Sequence, residues 1–238
     1  PGLAGENGAH VLGYVGSVDE DDLADLSKNY YREETIGKDG LELQYDNFLR
    51  GKAGIKTVIV DRKESVTKQA VSTQPVPGFN LVTNLDATLQ AATEEALQTS
   101  VLRARSLGGR ADGGAAVVME VNSGKVLALA SYPTYDPNIW QVGLTQKQAN
   151  NLFGESSGVP ALNRPLQGMY APASTFKSVS VVAAMNAGYD MNALYKCPAK
   201  LLIGDREFAN FETNSQGTIN MKRAVAVSCD TIWYQIAY

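Results

Sequence analysis

The sequence holds one histidine, His10, and two cysteines, Cys197 and Cys229. Serine–histidine or cysteine–histidine catalysis would have to recruit His10, and a multi-histidine metal site is excluded. Two cysteines without CxxC spacing are too few for a disulfide framework. Basic charge is also scarce. With 21 Lys+Arg against 25 Asp+Glu the net charge is −4 and the pI is near 5.1, the reverse of the basic field that a nucleic-acid binder presents. No unbroken apolar run reaches the ~18 residues of a membrane span. The opening Pro1-Gly2-Leu3-Ala4-Gly5 has no basic segment followed by an apolar one, so no signal peptide is expected. What is present is ordinary for a folded chain: 238 residues, 44% hydrophobic and 19% charged, enough for one large domain or two smaller ones.

Residues 1–35 are glycine-rich, then acidic at Asp19-Glu20-Asp21-Asp22 ahead of Leu23 and Leu26. Carboxylates favour a helix N-terminus, so a short helix is expected to open there; the run has no EF-hand spacing and calcium is not expected. Residues 55–60 and 66–71 are β-branched runs around Asp61-Arg62-Lys63-Glu64 and read as a hairpin. Gln74-Pro75-Val76-Pro77-Gly78 breaks both periodicities, which places a domain boundary after residue 77 and divides the chain into 1–77 and 78–238. In the second part Leu81-Val82-Thr83 reads as a strand. Asp86 is the expected N-cap of a helix to about Ser106, with Leu89, Ala92, Ala96, Leu97 and Val101 on its buried face. Gly108-Gly109 ends it. Residues 115–121 and 125–131 are apolar runs joined by Asn122-Ser123-Gly124, a hairpin signal. A turn-rich exit follows from Tyr132 to Asn138, and residues 145–153 read as a short polar helix or lid. Residues 174–187 read as the best-buried helix and 228–238 as the next. The order of elements implies an α+β fold, with helices packed on an antiparallel sheet. Thr231 to Tyr238 reads as a helix still in progress, without glycine cap or proline stop, so the sequence is expected to be part of a longer protein.

With no histidine beside a candidate nucleophile, a lysine is the remaining activator. Ser174-Thr175-Phe176-Lys177 supplies one, because a three-residue separation puts both side chains on one helical face. Ala171-Pro172-Ala173 before it and Val179, Val181, Val182 and Met185 after it set Ser174 at the start of an apolar helix, where free N–H groups favour an oxyanion or a carboxylate. The tetrapeptide alone is a weak signal. Ser65-Val66-Thr67-Lys68 repeats it at the start of an expected strand, where residues three apart face opposite sides. Ser228-Cys229-Asp230 offers a second serine with a polar neighbour, yet Ser17-Val18-Asp19 and Ser27-Lys28-Asn29 match the same loose pattern. A serine N-cap followed by a solvated lysine is the competing reading of Ser174 and Lys177.

Longer strings carry a resemblance. Asn163-Arg164-Pro165-Leu166-Gln167-Gly168-Met169-Tyr170-Ala171-Pro172-Ala173-Ser174-Thr175-Phe176-Lys177 is similar to the nucleophile segment of penicillin-binding protein transpeptidase domains, whose fold β-lactamases and β-lactam sensors share. Residues 117–138, with Gly124-Lys125-Val126-Leu127-Ala128-Leu129-Ala130 and Tyr135-Asp136-Pro137-Asn138, resemble that family's first hairpin and its exit. His10-Val11-Leu12-Gly13-Tyr14-Val15-Gly16, Gly37-Lys38-Asp39-Gly40-Leu41-Glu42-Leu43-Gln44-Tyr45-Asp46 and Leu49-Arg50-Gly51 resemble the β-rich, non-catalytic pedestal of the class B, monofunctional members. The elongation type, which works beside a SEDS-type glycosyltransferase, is the most similar, partly through Ser228-Cys229-Asp230.

The resemblance implies a pedestal over 1–77 and an incomplete transpeptidase domain over 78–238. It implies Ser174 as the acylated nucleophile, Lys177 as general base, Ser228 as proton relay to the leaving amine, and Asp230 where many relatives have asparagine. The reaction would cross-link peptidoglycan stem peptides ending in D-Ala-D-Ala, with β-lactams as trapping mimics, no cofactor and no metal. Partners would be a SEDS-type glycosyltransferase and other cell-wall elongation proteins. The location would be the extracytoplasmic face of a bacterial plasma membrane, on an anchor absent from this sequence. A non-catalytic scaffold for the glycosyltransferase and a β-lactam sensor are the alternatives, and the pedestal motifs speak against the sensor. Two departures stand out. Ala173 replaces the usual glycine before the nucleophile, and Asp230 sets a negative charge beside Lys177 that favours its ammonium form. The family's Lys-Thr/Ser-Gly string is missing; Lys56-Thr57-Val58 and Lys52-Ala53-Gly54 lie in the wrong region. A polypeptide ending at Tyr238 is therefore expected to be inactive. Cys229 is expected to be a small core residue, Cys197 structural, Trp233, Tyr234 and Tyr238 core or subunit packing, and Glu42 with Arg50 a structural ion pair.

Overall fold

The computed structural model describes residues 6–24, 30–63 and 66–238. The chain forms two compact units, Pro1–Met169 and Tyr170–Tyr238.

The first unit opens with α1 (Ala9–Leu12), β1 (Val15–Ser17), α2 (Glu20–Ala24), β2 (Thr35–Gly37), α3 (Gly40–Gln44) and α4 (Asp46–Leu49). Strands β1 and β2 are antiparallel, with Val15 opposite Gly37 and Ser17 opposite Thr35. The acidic run does start a helix. Asp19 and Asp22 cap it reciprocally, each carboxylate accepting from the other's backbone N–H at 2.9 Å, and Lys38 neutralises both. Leu26 and the Ser27-Lys28-Asn29 string lie outside the described residues. Buried Asp46 organises this part: its carboxylate accepts from the Gly37 N–H and the Tyr30 hydroxyl, each at 3.0 Å. The expected Glu42–Arg50 pair does not form. Arg50 follows α4 one turn after Asp46, so its guanidinium lies 3.2 Å from that carboxylate, 3.0 Å from Glu34 and over the Tyr30 ring. Glu42 is instead raised in pKa, by burial first and then by the charge of Asp46.

Next come β3 (Ile55–Val60) and β4 (Val66–Thr73), the expected antiparallel hairpin; Glu64 and Ser65 lie outside the described residues. Leu81-Val82-Thr83 is not a strand, and Val82 is 92% exposed with no ladder partner among the described residues. Helix α5 (Ala87–Ser106) has the expected N-cap, with the Asp86 carboxylate accepting from Leu89 N–H at 2.9 Å. Its buried face differs from the expected one. Ala92 and Ala96 are exposed, while Gln90 and Val101 are buried. The reason is the edge of β6: Gln90 accepts from the Leu129 N–H at 2.8 Å and donates to its carbonyl at 2.9 Å, which completes the backbone pairing of that residue. Strands β5 (Gly114–Met119) and β6 (Val126–Tyr132) are the second expected hairpin, with Gly124 in the turn at φ 72°.

A 3-10 turn (Pro137–Val142), α6 (Gln146–Phe153) and α7 (Arg164–Gln167) follow. Thr145 and Gln148 form the capping box that starts α6, which is thus a helix as expected. Ala9, Tyr135 and Leu152 make a small core with Ile139 and Trp140 against it. His10 is buried beside it, donating from Nε2 to the Pro160 carbonyl at 2.7 Å and meeting the Tyr135 ring edge-on.

The second unit contains a 3-10 turn (Ala173–Phe176), α8 (Lys177–Asn186), β7 (Leu194–Cys197), β8 (Lys200–Ile203), β9 (Arg206–Ala209), β10 (Gly217–Asn220), α9 (Met221–Ala226) and α10 (Thr231–Ala237). β7 pairs antiparallel with β10, and β8 with β9. The core gathers Ala184 of α8, Cys197, Met221 and Ala224 of α9, Cys229, and Ile232 and Trp233 of α10. Residues 174–187 are not the best-buried helix. Only Lys177 and Ala184 of α8 are buried, and Val179, Val182 and Met185 are more than half exposed. Both cysteines are buried in this core, as expected, and they form a disulfide that the sequence did not reveal, tying the end of β7 to the turn before α10. Trp233 is core, whereas Tyr234 reaches the surface and Tyr238 is 90% exposed.

Candidate active site

The second unit brings all four sequence-derived site residues together. Ser174 lies on the 3-10 turn and Lys177 begins α8, so the chain never leaves helical geometry between them. Side chains three apart eclipse in a 3-10 turn, and Lys177 Nζ lies 3.3 Å from Ser174 Oγ. Ala173, just before the serine, takes φ 46°, the left-handed region that glycine favours. Ser228 and Asp230 come from the link between α9 and α10. Ser228 also has positive φ, at 54°, and this reverses the chain so that its hydroxyl meets Ser174 Oγ at 2.9 Å.

Lys177 is the hub. Its side chain is largely buried, and Nζ donates to Ser228 Oγ at 2.7 Å and to the Ser228 carbonyl at 2.9 Å, with the Asp230 carboxylate at 2.6 Å. Ser174 is on the exposed side of this cluster. The solvated-lysine reading therefore does not describe Lys177. Asp230 stands at the N-cap position of α10 but makes no side-chain cap hydrogen bond, because its carboxylate is turned to the ammonium. A cavity of about 680 Å³ opens over the cluster, lined among others by Ser174, Lys177, Asn210, Ser228, Asp230 and Trp233. That is a size suited to a small ligand or a peptide end. The arrangement offers a hydroxyl within reach of an amine and of a second hydroxyl, the parts that nucleophile activation and proton relay require.

The decoys fall elsewhere. Val66, Thr67 and Lys68 of the repeated tetrapeptide lie on β4, its Ser65 being outside the described residues; Lys56-Thr57-Val58 lies on β3, Lys52-Ala53-Gly54 just before it, and Ser17 ends β1. His10 is committed to Pro160 in the first unit, and burial lowers its pKa, so the imidazole stays neutral. No group of three or more His, Cys, Asp or Glu among the described residues is placed to hold a metal ion. The sequence reading passed over Asn210, which lines the cavity and bonds to the Asp230 backbone at 2.9 Å. No local pattern marks it, since its partner is twenty residues away.

A serine–lysine–serine cluster on a mixed helix-and-sheet fold defines a class, and the family follows from comparison with known proteins. Residues 3–83 match the family described as the penicillin-binding protein dimerisation domain, and residues 114–238 the penicillin binding protein transpeptidase domain. The chain belongs to the penicillin-binding proteins. It is 33% identical, over 97% of its length, to the peptidoglycan D,D-transpeptidase MrdA of Salmonella typhimurium, of which it covers 36%. It superposes on PBP2 of Helicobacter pylori, solved in complex with MreC, with a TM-score of 0.77 and 27% identity, covering 97% of this chain and 41% of that one. It also matches a chain of a peptidoglycan synthase complex that coordinates polymerization and crosslinking, with a TM-score of 0.74, 31% identity, and coverage of 98% and 40%. The sequence thus spans about a third of the length of the curated relatives it matches. No helix among the described residues is long and apolar enough to cross a membrane.

Proposed function

We propose that the protein is a peptidoglycan D,D-transpeptidase of the elongation type that works through an acyl-enzyme on Ser174. The observation that carries the reading is the single cluster in which Lys177 Nζ reaches Ser174 Oγ at 3.3 Å and Ser228 Oγ at 2.7 Å beneath one cavity. Lys177 first gives up a proton to solvent, and Ser174 Oγ then attacks the carbonyl carbon of the penultimate D-Ala while its own proton passes to the Lys177 amine. The tetrahedral intermediate collapses, the C–N bond breaks, and the proton reaches the departing D-Ala amine through the Ser228 hydroxyl. An amine of a neighbouring stem then attacks the ester, forms the cross-link and returns the proton to Ser174. Asp230 steadies the ammonium form of Lys177 between steps. A β-lactam, a mimic of the D-Ala-D-Ala end, stops the sequence at the acyl-enzyme. No step calls for a metal or a cofactor.

The reading keeps residues 1–77 as pedestal and 78–238 as the opening part of the catalytic domain. It places the protein on the extracytoplasmic face of a bacterial membrane, anchored by a segment outside this sequence. Residues up to Tyr238 include no Lys-Thr/Ser-Gly string on a catalytic strand, so this stretch taken by itself is expected to give no turnover. The dimerisation-domain match and the synthase-complex neighbour favour a second role beside the first, in which the pedestal activates a SEDS-type glycosyltransferase among other cell-wall elongation proteins. The same pedestal match speaks against a β-lactam sensor.

The test uses the native-length polypeptide with a pentapeptide donor and an amine acceptor. Release of D-Ala by the wild type, lost in Ser174→Ala, supports the catalytic role; equal release by both sinks it. Deleting residues 1–77 should reduce glycan polymerisation by the partner glycosyltransferase, and unchanged polymerisation would remove the second role.

A further inference from the structure

The turn at residues 228–231 carries two of the four cluster side chains, and it is gripped from two sides. From one side Lys177 Nζ holds the Ser228 hydroxyl and carbonyl at 2.7 and 2.9 Å and the Asp230 carboxylate at 2.6 Å. From the other, Cys229 is bonded to Cys197. The amide oxygen of Asn210 accepts from the N–H of Asp230 at 2.9 Å and of Thr231 at 3.1 Å. Thr231 Oγ1 donates to the Pro198 carbonyl at 2.9 Å. Asn210 is itself pinned, because its Nδ2 donates to the carbonyls of Pro198 and Asn214 at 3.0 and 2.8 Å. Asn210 is only 8% exposed and Thr231 fully buried, so these bonds are shielded from bulk water.

Two facts show what the grip is for. Ser228 holds φ 54°, a conformation a serine keeps only where its surroundings impose it. Asp230 occupies the N-cap position of α10 without capping it, and the Asn210 amide oxygen holds the same helix start by the N–H groups of Asp230 and Thr231, which an N-cap carboxylate does not reach. The Asp230 carboxylate is turned to Lys177 instead, at 2.6 Å.

We propose that Asn210, with the Cys197–Cys229 bridge as its covalent partner, is a positioning residue that sets Ser228 and Asp230 against Lys177. It acts through the turn and need not touch the substrate. The proposal rests on the reading of Ser174 as the acylated residue. Without Asn210 the turn swings and the relay hydroxyl moves away from Ser174 and Lys177, a displacement on the order of 1 Å that costs about a hundred-fold in rate.

The experiment compares native-length wild type, Asn210→Ala, Asn210→Asp and the double variant Cys197→Ala/Cys229→Ala, each well below its unfolding temperature. Acylation by a penicillin is followed to saturation, and amide hydrogen exchange is read over residues 228–234 by mass spectrometry. The proposal expects Asn210→Ala to lose about a hundred-fold in the saturating acylation rate with little change in half-saturating concentration. Exchange at residues 230 and 231 should accelerate, and Asn210→Asp, which keeps the accepting oxygen but sets a second oxygen against the Pro198 and Asn214 carbonyls, should recover only part of the rate. The cysteine variant should shift the same two readouts in the same direction. Should Asn210→Ala not fold, Asn210→Ser, whose hydroxyl is too short to span both N–H groups, is read in its place. A folded variant with the wild-type rate, or unchanged exchange over the turn, overturns the proposal. If the wild type takes no penicillin at Ser174, the functional reading fails, and the exchange data still decide whether Asn210 holds the turn.

Discussion

At Ala173 the backbone takes φ 46° with a β-carbon present, a conformation that costs an L-residue about 1–2 kcal/mol. Glycine would relieve that cost and lose part of it back through its freer unfolded chain, about 0.5–1 kcal/mol. Ala173→Gly should therefore stabilise the protein by about 1 kcal/mol, seen as a rise of about 2–4 °C in thermal midpoint; an unchanged or lower midpoint would refute the strain. Lys177→Arg tests a different property of the same turn. Arginine keeps a positive charge for Asp230 but cannot act as a base, so acylation of Ser174 should fall by about 10²- to 10⁴-fold, measured with a labelled penicillin. At this scale the sequence was informative wherever spacing fixes geometry. Ser174 and Lys177 are three residues apart on helical chain, and they meet. It was uninformative where partners are remote: Arg50 reached Glu34, 16 residues back, and Cys197 found Cys229 across 32 residues.

Among the elements, α5 shows how a periodicity argument goes astray. Its apolar residues suggested a face through Ala92 and Ala96, but the sheet edge demanded a polar partner, and Gln90 is fully buried to provide it. Gln90→Ala should cost about 2–4 kcal/mol, because it leaves both the N–H and the carbonyl of Leu129 unpaired in the interior. Urea unfolding reads this directly, and a loss below about 1 kcal/mol would mean that the two groups find other partners. The hairpins at 55–73 and 114–132 were legible because β-branched alternation and a turn signal coincide in each. Strands β7 to β10 were not. Each is four residues long and includes charged or polar residues, too little sequence for an alternation to stand out. Helix α8 misled in the other direction: Val179, Val182 and Met185 are apolar but surface-exposed, so composition suggested burial that the fold does not supply.

For the whole molecule, the lone histidine sets a pH dependence. Burial lowers the pKa of His10 below 6.5, with Arg164 lowering it further and the Pro160 carbonyl and Asp39 acting against the shift. Between the lowered folded value and 6.5 the unfolded chain binds more protons, so stability is complete above about pH 6.5 and declines as pH falls through that window. Thermal midpoints at about pH 7.5 and 5.5 should show the decline. His10→Gln should remove this component while the rest of the acid response persists; an identical slope in the variant would contradict the assignment. The family itself was legible from long strings in order, and the dimerisation and transpeptidase matches agree with it.

The account stands or falls on Ser174. The direct measurement is intact-protein mass spectrometry of the native-length polypeptide and its Ser174→Ala variant after incubation with a penicillin. A single adduct on the wild type, mapped to the peptide containing Ser174 and absent from the variant, is the predicted result. A folded wild type that takes up no adduct, or an adduct that persists in Ser174→Ala, would contradict it.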